Sequence, residues 1–175
     1  RQGLGGVFVP DAGDGDARTS AGLFVQAGGE LSLLPGQWWR ITGTVVEQPA
    51  GKDGQSLTTL ADARFTAMPA LAPVPVQALS DVPESWEALE GMHVRIDAPL
   101  TLVGQDQLPR FGELVVAFGG RLWQPSEVAV PGSDEHAAVV ADNQRRRLVL
   151  EDGRDARDPA SVAYLPGSPV LRTGM

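Results

Sequence analysis

A mostly β fold with one or two short helices is what this 175-residue sequence predicts, and three features carry the prediction. The 21 glycines and 14 prolines are spread along the whole length and interrupt every apolar run before it could become a long helix. Gln37 to Gln48 (QWWRITGTVVEQ) alternates along its length, with Trp39, Ile41, Gly43 and Val45 on one face and Trp38, Arg40, Thr42 and Thr44 on the other. The 42% hydrophobic content is enough to fill a core, and the length suits one generous domain or two small ones.

The elements follow in order. Gly3 to Val9 and Ala21 to Gln26 read as two strands of a hairpin, joined by the loop Pro10 to Ser20, which is dense in Gly and Asp. Pro35-Gly36 turns into the strand 37–48, and Ala50 to Gly54 turns out of it toward strands at Ser56 to Leu60 and Arg64 to Met68. Residues 69–83 (PALAPVPVQALSDVP) have the composition of an extended, semi-rigid connector. Glu84 to Leu89 fits one helical turn ended by Gly91, followed by strands at Met92 to Ile96, Leu100 to Val103, Glu113 to Phe118 and Arg121 to Trp123. Ser133 is an N-cap, with Asp134 and Glu135 in the first turn where the helix dipole favours anions, and the helix is expected to end near Asn143. Arg147 to Leu150 resumes as a strand, and the rest is loop with one short strand expected at Val162 to Tyr164.

Charge and composition exclude several classes of function. A formal charge of −8 argues against polyanion binding through a broadly basic surface, so any nucleic-acid contact must be local. The absence of cysteine removes disulfides, thiolate catalysis and thiolate metal sites together. No stretch approaches the roughly 20 apolar residues of a membrane span, and Arg1 to Val9 lacks a signal-peptide apolar region.

Four groups of residues bear on chemistry. Asp11, Asp14 and Asp16 lie in one loop, as the oxygen ligands of Ca2+ or Mg2+ do, yet the spacing departs from the EF-hand and Asp and Gly are also ordinary turn residues. His93 and His136 have no neighbours in a known catalytic spacing, and no G-x-S-x-G elbow accompanies them. Arg145, Arg146 and Arg147 form the densest positive cluster, which suits either phosphate contact or ion pairing with Glu151, Asp155 or Asp158. Among the tryptophans 38, 39, 86 and 123, Trp39 is expected in the core, and Trp38 beside Arg40 is the best exposed stacking platform.

Six stretches carry a resemblance: GGVFVPDAGDGDARTSAGLFV (5–25), ITGTVVE (41–47), LEGMHVRIDAPLTL (89–102), RFGELVV (110–116), RLWQPSEVAVPG (121–132) and NQRRRLVLEDG (143–153). Together they resemble the region preceding the catalytic domain in ExeM/NucH-type secreted bacterial nucleases of the endonuclease/exonuclease/phosphatase family. Pro10 departs from the Gln usual in that family. The resemblance implies OB-like small barrels or partial barrels: a first module at 1–70 lacking its first strand, a connector at 71–83, and a truncated second module at 84–175 with a helix near 134–143.

The same resemblance implies that the 175 residues are an excised fragment of a secreted protein whose metal-dependent phosphodiesterase residues lie in a later domain. No catalytic residue is carried over. The expected role is to bind or position DNA, single-stranded or duplex, for that domain, with Trp38, Arg40, Arg145, Arg146 and Arg147 as the contacts. The competing expectations are a purely structural spacer and a metal-dependent hydrolase built on Asp11, Asp14, Asp16 and a histidine.

Overall fold

A computed structural model of the chain describes residues 5–11, 13, 16, 18–27, 33–34, 36–50, 55–71, 73, 76–154, 156–165, 167 and 170–174. The fold is mostly β, in several sheets with short helices and, among the described residues, no closed barrel. The chain divides into two compact units, Arg1–Ala78 with Pro83–Arg95, and Leu79–Val82 with Ile96–Met175. Residues 84–95, expected with the second module, therefore belong to the first unit, as does Pro83 from the expected connector. The proline-rich stretch contains a strand, β5 (Gln77–Leu79), which pairs with β6 (Val94–Ile96).

The first unit is built on a four-stranded sheet. The expected hairpin is present: β1 (Gly6–Pro10) runs antiparallel to β2 (Gly22–Gln26), and the Asp11 N–H to Ala21 carbonyl bond extends the pairing. β3 (Trp38–Ala50) and β4 (Gln55–Met68) form a long antiparallel pair, and β4 lies parallel to β2, giving the order β1-β2-β4-β3. Pro35 and residues 51–54, where turns into and out of β3 are expected, lie outside the described residues. Phe24, Val25, Thr59 and Leu60 are buried where β2 meets β4. The Thr59 hydroxyl satisfies itself there by donating to the Leu57 carbonyl at 3.1 Å.

Two expectations about the β3–β4 pair change for one reason. The segments 56–60 and 64–68, read as separate strands, are one strand carrying an irregularity: Thr42 pairs with Arg64 but Thr44 pairs with Ala61. The extra residue is accommodated by Asp62 in the left-handed region (φ 53°). Opposite it stands Gly43, where a Cβ would lie 2.5 Å from the Ala61 carbonyl oxygen. The inward alternation of β3 changes phase across this point, so Val46 is half-buried and Val45, expected to face inward, is 63% exposed.

Segment 83–95 is fastened to β2 by its own small knot. A 3-10 turn at Glu87–Leu89 leads to Gly91, which adopts φ 65°. The Ser20 hydroxyl donates to the Glu90 carbonyl and accepts from the Gly22 N–H at 2.9 Å. Gly22 permits the approach, because a Cβ there would lie 2.2 Å from the Gly91 carbonyl carbon.

The second unit centres on the sheet β7 (Leu100–Gly104), β8 (Leu114–Phe118) and β9 (Arg147–Leu150), all antiparallel with β8 in the middle. Leu102, Leu114 and Val116 are its buried centre, covered by Leu108, Leu148, Leu150, Tyr164, Leu165 and Leu171 among others. Two short helices stand where the sequence pattern suggests none. α1 (Leu108–Phe111) is ended by Gly112 in the left-handed region, and α2 (Pro125–Val128) begins at a proline. Residues 121–123, expected as a strand, take no part in a sheet. α3 (Asp134–Arg146) starts as expected, with the Ser133 side chain accepting from the His136 N–H, but runs three residues past Asn143.

The described residues of the stretch 151–174 belong to this unit and do not form the strand expected at 162–164, where Ala163 and Tyr164 make a turn instead. Asp158 N–H donates to the Arg110 carbonyl at 2.8 Å and Gly174 N–H to the Leu102 carbonyl at 2.8 Å. The Tyr164 hydroxyl sits between the carbonyls of Gly112 and Leu150. Burial first, and the charge of Asp152 second, push its pKa above the ordinary tyrosine value. Because the folded state holds this proton more tightly than the unfolded chain, the contribution to stability is complete below pH about 10 and is lost as pH rises through the folded pKa. Alkaline titration is therefore expected to show tyrosinate absorbance with a midpoint above that of free tyrosine, accompanied by loss of amide protection in 151–174. The chain holds one tyrosine, so the signal is unambiguous, and a midpoint at the ordinary value would contradict the arrangement.

Candidate functional site

The exposed face of the β3–β4 pair places the expected residues Trp38 and Arg40 in a longer row. Register pairs Trp38 with Met68, Arg40 with Thr66, and Thr42 with Arg64. Paired residues in an antiparallel ladder share a face, and positions two apart on a strand share it as well. One face therefore carries Trp38, Arg40 and Thr42 alongside Met68, Thr66 and Arg64. Arg40, Thr42, Arg64 and Thr66 are exposed, whereas Trp38 and Met68 are half-buried. Arg40 and Arg64 are diagonal neighbours, a separation of about 7–8 Å between backbones.

Neither guanidinium has an ion pair or hydrogen bond among the described residues. Glu47, further along β3, is engaged by the Thr58 hydroxyl at 2.7 Å; that bond first, and Ser56 second, hold its carboxyl below the usual range. The opposite face is the inward one, where Trp39 meets Phe65 edge-on with centroids 6.4 Å apart. The Trp39 indole N–H is buried there and has no acceptor among the described residues. At the end of the row a hollow of about 240 Å³ is lined by Trp38, Trp39, Ala67, Met68 and Ala70 together with Gly36 and Gln37.

The arginine cluster is divided between structural tasks. Arg145 and Arg146 occupy the last turn of α3, where cations favour the helix dipole, and Arg147 opens β9 with its side chain exposed. Their ion-pair partner is Asp142 on the same helix, at 3.1 Å from Arg145 and 2.7 Å from Arg146. Burial works to raise the Asp142 carboxyl, but the hydrogen bonds from Arg146 and Arg145 outweigh it and hold the group below its usual range. Arg146, 16% exposed, also donates to the Phe118 carbonyl at 2.7 Å, tying α3 to the end of β8.

In the acidic loop, Asp16 is gripped by Arg18 through the backbone N–H at 3.0 Å, Nε at 2.9 Å and the terminal nitrogen at 2.6 Å. The side-chain bond first, then the backbone bond, keep its carboxyl low. Asp14 lies outside the described residues, and among those described no three His, Asp or Glu side chains are grouped to hold a cation. His93 is exposed and His136 is half-buried at the α3 N-terminus.

No family model, curated protein or solved structure matches the chain. Among the described residues no helix is long and apolar enough to cross a membrane.

Two parts of the picture escape the sequence. Arg64 and Thr66 join the row only through the register of β4, which reading 56–68 as two strands conceals. In the second unit, Trp123 is 47% exposed and the Arg121 guanidinium covers its ring at 3.8 Å from the centroid, an arrangement no periodicity signals.

Proposed function

We propose that this chain is a non-catalytic module that binds nucleic acid, positioning it for the phosphodiesterase domain of an extracellular nuclease. The observation that carries the binding is the β3–β4 row: two guanidiniums with no carboxylate partner among the described residues, flanked by the Thr42 and Thr66 hydroxyls and ending at Trp38, on one exposed sheet face. Guanidinium forks and hydroxyls are phosphate donors, and a tryptophan at the end of such a row is a stacking surface. The association with a nuclease, and the secreted setting, rest on the resemblance of the sequence stretches 5–25, 89–102 and 143–153 to that family.

A structural spacer is the second reading, favoured by the charge of −8 and by the commitment of Arg145 and Arg146 to Asp142. The two separate in a salt series with fluorescent DNA. The binding module is expected to saturate at low salt. Arg40→Ala and Arg64→Ala should each reduce the logarithmic salt slope of single-strand binding by about 0.7, the value of one phosphate neutralised. Absence of saturable binding at low salt would favour the spacer.

A further inference from the structure

The hollow at the end of the β3–β4 row adds a second kind of surface to the phosphate donors. Its wall is mostly apolar, with Gln37 the one polar side chain among the residues lining it besides the two indoles. It wraps the end of the ladder, taking Trp38 and Met68 from the face of the row, two positions along each strand from Arg40 and Thr66, and Trp39 and Ala67 from the opposite face. A side-chain row with an aromatic hollow at one end and two cations beyond it has a direction along its length. It suits a ligand with one planar apolar group joined to successive anions.

From this we infer that the hollow receives one unpaired nucleobase, against Trp38 and Met68, while the phosphates that follow it along the same strand lie on Arg40 and Arg64. The inference rests on the nucleic-acid reading above and narrows it to single strands. In a duplex the base faces are stacked on one another and closed to the hollow. Duplex binding also spreads over two charged backbones, whereas this row offers two adjacent guanidiniums on a chain of net charge −8. Thr42 and Thr66, exposed between the arginines, supply hydroxyl donors for the phosphate oxygens.

The test changes the strand first and the Trp38 side chain second. Binding is compared for an oligodeoxythymidylate of about 10 nucleotides, an abasic sugar-phosphate strand of the same length, and the matching duplex. The intact single strand is expected to bind with tryptophan quenching and to exceed the abasic strand by about tenfold to a hundredfold. Trp38→Ala is expected to lose that advantage on the intact strand with no further loss on the abasic one, and Trp38→Phe to retain most of it. Equal binding of intact and abasic strands, or preference for the duplex, would overturn the base-in-hollow inference while leaving phosphate binding in place. No binding of any probe at low salt would overturn both.

Discussion

Gly22→Ala is expected to lower the melting temperature of the first unit by roughly 10–20 °C, the equivalent of about 3 kcal/mol of overpacking. The added methyl carbon would lie 2.2 Å from the Gly91 carbonyl carbon, 2.4 Å from the Glu90 carbonyl oxygen and 2.5 Å from the Met92 nitrogen. All three are backbone atoms, so no side-chain rotation relieves the clash. Relief must come from separating segment 90–92 from the start of β2, which also breaks the Ser20 to Glu90 hydrogen bond. Hydrogen exchange read by mass spectrometry checks the mechanism: peptides from 83–95 should lose protection first. Unchanged melting and unchanged exchange would show that 83–95 does not pack on β2.

Arg146→Ala is the second large effect, and its neighbours supply the contrast. The substitution removes the 2.7 Å bond to the Phe118 carbonyl and the 2.7 Å pair with Asp142 from a side chain that is mostly covered. Charge-assisted bonds of this kind contribute about 1.5–3 kcal/mol, and the Phe118 carbonyl would be left without that donor. Arg145→Ala removes an exposed i,i+3 pair with Asp142, for which about 0.3–0.5 kcal/mol is expected. Urea unfolding of the single variants should therefore separate Arg146 clearly from Arg145. Equal, small losses for both would mean that the α3 to β8 tie contributes little.

Much of the fold is legible because local chemistry and tertiary context agree. The hairpin of β1 and β2, the strand from Trp38, and the α3 N-terminus at Ser133 each follow from alternation or capping that the structure preserves. Differences arise where one residue resets a pattern. Asp62 takes the left-handed conformation inside β4, and a sequence-based alternation cannot signal that a strand continues through such a residue. An end of α3 near Asn143 follows from grouping the three arginines with the next strand and its acidic turn. Asp142 sits three and four residues before Arg145 and Arg146, and that helical spacing extends α3 to them. The shared face of Trp38 and Arg40 is legible from strand parity, although Trp38, expected to be exposed, is half-buried like Trp39, whereas the placement of Arg64 beside them requires a cross-strand register that no single segment contains.

The division of the chain has a consequence for inheritance. The first unit is assembled from two stretches of sequence with 79–82 between them, so the chain passes from one unit to the other at 78/79, 82/83 and 95/96. A gene broken anywhere in the proline-rich stretch would strand residues 83–95 with the wrong partner and leave Gly22 facing solvent where Glu90 and Gly91 now lie. Recombination therefore cannot shuffle these units by one crossover there.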